Sequence, residues 1–196
     1  MEKKLSIDHK DFKKNYNSKE PQLIILKIGS DFVDPVNSFI KISDDMDNSF
    51  LFESLKDGDL SGRYSVIGIK PDKILKITNK TSKIYADNNI EKVIDNNPIE
   101  AIRYFIDNSL IKKNDDIPSI ASGIFGYIGY DFVANIEDLP KEKIDEFGVP
   151  DSILLRPSIT VVFDKELKEI LICKAVWYAN NIDADNAYNF ALDELN

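Results

Sequence analysis

The stretch Ile159–Trp177, ITVVFDKELKEILICKAVW, holds two β-rich runs, Ile159–Phe163 and Glu169–Trp177, on either side of the polar turn Asp164–Lys168. Branched aliphatic residues favour a pleated, half-buried surface, and a short polar turn between two such runs predicts an antiparallel hairpin. Working outward, the same signals recur upstream. Lys73–Thr78 (KILKIT) alternates with period two and is matched to Lys83–Tyr85 across Asn79–Ser82. Tyr64–Ile69 (YSVIGI) and Ser49–Ser54 (SFLFES) read as strands joined by the polar loop Leu55–Gly62. Leu23–Ile28 is a further strand, Ser122–Phe132 is read as another, and Glu137–Asp151, with Pro140, Gly148 and Pro150 among charges, as a loop.

Helices enter where capping residues precede apolar spacing of three and four. Asp8 precedes His9–Tyr16, Asp34-Pro35 opens Pro35–Ile42, and Asn97-Pro98-Ile99-Glu100 starts a helix whose apolar face runs Ile99, Ile102, Phe105, Ile106, Leu110. Asp183 caps a last helix with Tyr188, Ala191, Leu192 and Leu195 on one face. That face needs a cover, supplied either by its own domain or by a continuation of the chain. Short neighbouring strands with a few helices predict α+β: mostly antiparallel sheets, β-sandwich-like, with flanking helices.

The 196 residues carry 25 Lys+Arg against 34 Asp+Glu, a formal net charge of −9, with 43% hydrophobic content. This is the composition of a folded, soluble domain, and it offers no basic footprint for nucleic acid or an anionic membrane. No apolar run approaches the ~20 residues of a membrane span, and the N-terminus is followed by charge rather than by a signal core. A cytoplasmic location is expected. Cys173 is the only cysteine, which excludes an internal disulfide or a multi-thiolate metal site, and its aliphatic neighbours suggest a packing thiol. His9 is the sole histidine and sits near the N-terminus among charges, so hydrolase triads are disfavoured. Only three basic residues are arginines, Arg63, Arg103 and Arg156. In so lysine-rich a chain, an arginine points to a need for the planar fork.

Two constellations are candidates for chemistry. Gly123, Gly126 and Gly129 stand at a spacing of three, but without the Gly-Lys-Ser/Thr ending of a phosphate loop or the context of a dinucleotide fingerprint. They suit either close sheet packing or a ligand contact. Glu53 and Ser54 end an apolar strand, where a carboxylate and a hydroxyl together suit the two charged ends of an amino acid. They equally suit an ion pair to Arg63 or a lysine and the start of a turn. Arg63, at the mouth of the next strand in Gly62-Arg63-Tyr64-Ser65, either lies close to Glu53 or orients the loop between the strands.

In series, Leu51-Phe52-Glu53-Ser54, Gly62-Arg63-Tyr64-Ser65, Gly126-Tyr127-Ile128-Gly129-Tyr130-Asp131 and Ile159–Asp164 resemble the N-terminal region of anthranilate synthase component I, over about residues 34–164. Asp34-Pro35-Val36 resembles that family's early helix, and Phe52 stands where it usually has leucine. The resemblance implies tryptophan biosynthesis: conversion of chorismate, with ammonia from a glutamine amidotransferase subunit (component II), into anthranilate and pyruvate, using Mg²⁺. The family's chorismate and Mg²⁺ ligands lie in a longer C-terminal portion that these residues do not include, so no catalytic or metal-binding residue is assigned here. The N-terminal region completes a feedback site for L-tryptophan. Carried over by position, Ser54 is the first candidate contact and Glu53, suited to the ammonium, the second, with Arg63, Tyr64 and Ser65 as support. Binding by the isolated chain is expected to be weak or nil. Aminodeoxychorismate synthase component I, of folate biosynthesis, is the sister alternative, and a stand-alone small-molecule-binding domain is the other.

Overall fold

In a computed structural model the described residues are 4–29, 33–43, 46–54, 62–112, 115–137 and 148–195. Along the chain they form β1 (Lys4–Leu5), α1 (His9–Asn17), β2 (Gln22–Gly29), α2 (Pro35–Ile42), β3 (Phe50–Phe52), β4 (Tyr64–Thr78), β5 (Thr81–Ala86), β6 (Asn89–Asp95), α3 (Pro98–Asp107), β7 (Phe125–Ile128), β8 (Ser152–Asp164), β9 (Glu169–Val176) and α4 (Ala184–Leu195). The strand order is β1-β2-β9-β8-β4-β5-β6, with β3 beside β4 and β7 beside β8. Pairing is antiparallel between β2 and β9, β8 and β9, β3 and β4, β4 and β5, β5 and β6, and β7 and β8. The class is α+β with antiparallel strands, as the sequence predicts. Among the described residues no helix is long and apolar enough to cross a membrane.

The chain divides into two compact units, one of Met1–Pro71, Ile111–Gly123 and Pro157–Asn196, the other of Asp72–Leu110 and Ile124–Arg156. In the first, the expected hairpin is present, with Asp164 opposite Glu169 and Val161 opposite Ile172. On its far side β9 takes β2, from Gln22 opposite Val176 to Gly29 opposite Glu169. Both helices of this core are capped as expected: Asp8 accepts the Asp11 N–H at 2.8 Å and Asp183 the Asn186 N–H at 2.8 Å. The apolar face of α4 is covered from within the unit, since Tyr188, Ala191 and Leu195 cluster with Phe12, Tyr16, Ile24 and Leu26. Tyr16 secures the contact through its hydroxyl, which accepts the Ala179 N–H at 3.2 Å. His9 stays half exposed, its Nε2 2.8 Å from Asp185, which also meets Lys13 at 2.6 Å. Cys173 is buried, and burial pushes its thiol pKa up to about 12, consistent with a packing role.

A second cluster in this unit joins Ile67, Ile69, Ile159, Val161, Phe163 and Ile170, with Phe39, Ile42, Met46 and Leu51 packed onto it. Helix α2 begins as predicted, Asp34 accepting the N–H of Asn37 at 3.1 Å ahead of Pro35. None of its residues is fully buried, and Val36 and Ile40 face outward.

In the other unit the predicted pairing of Lys73–Thr78 with Lys83–Tyr85 is present, and β6 adds to β5. The first turn puts Asn79 at φ 52°, and the next sets Asp87 and Asn88 at φ 47° and 62°, the two left-handed residues that a type I′ hairpin requires. Asn97 caps α3, accepting the Glu100 N–H at 3.1 Å while its amide donates to the Glu100 carboxylate at 2.8 Å. Ala101 and Phe105 then bury against Leu75, Ile77, Ile84, Phe132 and Leu154, whereas Ile106 and Leu110, placed on the same face by periodicity, are exposed. Arg156 is buried here and grips Asp72 with two hydrogen bonds, 2.7 and 2.6 Å, while donating a third to the Asn108 carbonyl at 2.8 Å.

Three readings need correction. Tyr64–Ile69 and Lys73–Thr78 are one strand, β4: the chain passes Lys70 in a left-handed conformation (φ 48°) and continues through Pro71. The Ser122–Phe132 strand shrinks to β7, between 3₁₀ turns at Ser119–Ser122 and Tyr130–Asn135. The backbone at Gly126 has φ 150°, and a Cβ there would meet the Ile153 carbonyl oxygen of β8 at 1.9 Å, so close strand approach accounts for this glycine. The third strand, read as Ser49–Ser54, covers only Phe50–Phe52. Residues 55–61 and 138–147 of the two predicted loops lie outside the described residues.

Candidate functional site

The candidate site grows from β3, and an aromatic ring on a bare backbone sets its position. Phe50 lies opposite Gly68 in the β3–β4 ladder, and a Cβ on Gly68 would meet the Phe50 ring at 2.2 Å. Glycine therefore leaves room for the ring to lie flat on the neighbouring strand. Leu51, opposite Ile67, packs on the apolar cluster below, and the Phe52 ring sits 5.0 Å from that of Phe50. The ladder ends at the Phe52–Val66 pair. Glu53 and Ser54 follow outside the strand, Glu53 exposed and Ser54 half-buried.

Arg63 does not turn to Glu53. Its guanidinium forks onto Asp164, with Nε at 3.0 and 3.1 Å from the two carboxylate oxygens and Nη2 at 2.7 Å, and Nη1 reaches Glu166 at 3.3 Å. It also lies over the Tyr64 ring, 4.8 Å from the centroid. The Asp164 side chain is nearly buried and accepts two amides of its own turn, from Glu166 at 3.0 Å and Leu167 at 3.1 Å. Burial works against its charge, but the Arg63 fork and the Leu167 and Glu166 amides outweigh it, so the carboxyl lies below the ordinary carboxylate range. The Arg63 pKa is raised, chiefly by the hydrogen bond to Asp164.

Lys165 is a functional candidate that sequence reasoning missed. Its ammonium donates to the Ser54 carbonyl at 2.6 Å, and its backbone N–H donates to the Arg63 carbonyl at 3.0 Å. One residue of the β8–β9 turn thus holds both described flanks of residues 55–61. Ser65, two residues after Arg63, is completely buried on β4, and its hydroxyl has no hydrogen-bond partner among the described residues. The arrangement offers an exposed carboxylate beside a serine whose carbonyl is fixed, a pairing able to meet an ammonium and a carboxylate. Among the described residues no group of three or more His, Cys, Asp and Glu side chains is placed to hold a metal ion.

No protein-family model matches the chain. It is 31% identical over 188 residues to anthranilate synthase component 1 of Cereibacter sphaeroides, an alignment covering 94% of this chain and 38% of that protein. The chain is homologous to the N-terminal region of anthranilate synthase component 1. The component 1 of Thermus thermophilus is 30% identical over 142 residues, 72% of this chain and 29% of the relative. That of Acetivibrio thermocellus is 26% identical over 88% of this chain and 34% of its own length. The chain thus spans less than two-fifths of these curated relatives. The crystal structure of anthranilate synthase component I from Streptococcus pneumoniae TIGR4 matches with a TM-score of 0.52 at 19% identity, over 86% of this chain and 36% of that one, a likeness of fold.

Proposed function

We propose that this chain is the regulatory and structural N-terminal region of an anthranilate synthase component 1, and that Ser54 and Glu53 contribute part of its feedback site for L-tryptophan. The alignment with component 1 over 94% of the chain carries the reading. The placement of Glu53 and Ser54 just beyond β3, with the Ser54 carbonyl fixed, supports the site. In this reading the parent protein converts chorismate and ammonia into anthranilate and pyruvate in the cytoplasm, and takes its ammonia from component II, the glutamine amidotransferase subunit. Chorismate and Mg²⁺ belong to the remainder of that protein. No step of the reaction is assigned to the residues described.

The test uses the complete component 1 with its amidotransferase. Ser54→Ala and Glu53→Gln each raise the tryptophan concentration for half-inhibition about tenfold, the equivalent of about 1.4 kcal/mol for one lost charge-assisted contact. Turnover without tryptophan is recorded alongside as the reference. Inhibition curves that superimpose on the parent refute the site, and a product other than anthranilate refutes the enzyme.

A further inference from the structure

We infer that Lys165 is a positioning residue for Ser54: it brackets the Ser54 and Arg63 carbonyls and so sets the geometry that an amino-acid ligand meets at Glu53–Ser54. The inference rests on the ligand reading above only for its second half, since the bracket itself is a matter of geometry. Lys165 donates twice, from its ammonium to the Ser54 carbonyl at 2.6 Å and from its amide to the Arg63 carbonyl at 3.0 Å. These two carbonyls stand nine positions apart in the sequence, and one residue ties them both.

The lysine does not hold itself in place. The preceding residue, Asp164, accepts the amides of Glu166 and Leu167 and shapes the turn that presents Lys165. The same carboxylate takes the fork of Arg63. The Arg63 side chain is thereby tied to Asp164 and its carbonyl to Lys165, a double tie that fixes one flank firmly. Among the described residues it is the ammonium that holds the Ser54 carbonyl, the β3 ladder having ended two residues earlier, at Phe52. A compact point charge on a flexible stem is well matched to this contact, which requires reaching one carbonyl rather than spanning a planar carboxylate. Removing the charge while keeping the length of the side chain should therefore loosen Ser54 and leave Arg63 in place.

The experiment compares the parent chain with Lys165→Met, with Lys165→Arg as the conservative variant and Lys168→Met as a matched charge loss in the same turn. Amide hydrogen exchange is followed residue by residue in the chain, and inhibition by L-tryptophan is measured in the complete component 1 with its amidotransferase. Lys165→Met should speed exchange at Glu53 and Ser54 about fivefold and weaken tryptophan about fivefold, with thermal stability and the Tyr64 amide little changed. Lys165→Arg should recover most of both effects, and Lys168→Met should show neither. Unchanged exchange at Ser54 in Lys165→Met overturns the bracket. Faster exchange with unaltered tryptophan affinity overturns its role in ligand geometry. If tryptophan does not inhibit the complete parent enzyme, the ligand half of the inference fails, while the exchange rates still decide the bracket.

Discussion

Replacing Arg156 with lysine separates charge from geometry at a buried site. The Arg156 side chain is 8% exposed and that of Asp72 29%. The guanidinium makes two bonds to the carboxylate, at 2.7 and 2.6 Å, and one to the Asn108 carbonyl at 2.8 Å, at the C-terminal cap of α3. A lysine keeps the charge but cannot span both carboxylate oxygens and the helix end in one plane. With charge-assisted hydrogen bonds contributing about 1.5–3 kcal/mol each, Arg156→Lys should cost about 2 kcal/mol after its remaining bond is counted. Asp72→Asn instead removes the charge onto which the guanidinium forks; breaking a fully buried pair costs about 3–5 kcal/mol, and about 2–4 at this partly wetted carboxylate. In urea, with a slope of about 2 kcal/mol/M, the midpoint should fall by about 1 M for the first variant and about 1–2 M for the second. A double-mutant cycle through Arg156→Met should return a coupling above about 1 kcal/mol. Midpoints of both single variants within about 0.3 M of the parent would refute the assignment of this fork as a structural clasp.

Other outcomes follow from individual contacts. Gly126→Ala forces a Cβ toward the Ile153 carbonyl at a φ of 150°, so it should destabilise by about 2–4 kcal/mol and lower the melting temperature by roughly 6–12 °C by calorimetry. A melting temperature within about 2–3 °C of the parent, on the order of 1 kcal/mol at this chain length, would rule out the close approach. The Asp164 carboxyl is depressed in the folded chain, so its contribution is complete above the unfolded value near pH 4 and is lost as pH falls through the lower folded value. Urea midpoints from pH 6 down to pH 2 should show the stability gap between the parent and Asp164→Asn closing only below about pH 4. A gap independent of pH would mean that the charge of Asp164 contributes nothing.

Much of the fold was legible because its signals are local. The caps at Asp8, Asp34, Asn97 and Asp183 act on amides two or three residues away, and the β8–β9 and β4–β5 hairpins are closed by their own turns. What stayed hidden depends on distant partners. β6 is largely exposed at the end of the strand order and offers no buried alternation to read, and the two runs Tyr64–Ile69 and Lys73–Thr78 were read apart where the chain instead passes through a left-handed Lys70. The run Ser122–Phe132 was read as a longer strand, whereas the Gly129 N–H makes its bond to the Asp151 carbonyl at 2.7 Å and a 3₁₀ turn then begins at Tyr130. At the site, Glu53 and Ser54 were found as residues but their neighbours were not: Arg63 pairs with a carboxylate 101 positions away, and Lys165 lies 111 from Ser54. The scarcity of arginine was the better guide, since both Arg63 and Arg156 proved to be forks on carboxylates.

The pairing of β2 with β9, and of α1 with α4, has a consequence for how the chain matures. Phe12, Tyr16, Ile24 and Leu26 find their cover in segments about 150 positions later. During synthesis these side chains emerge long before anything exists to shelter them, and each must wait until about 150 further residues have been made. Topology of this kind slows the search for the native state and lengthens the interval in which chaperones or aggregation compete for the nascent N-terminus.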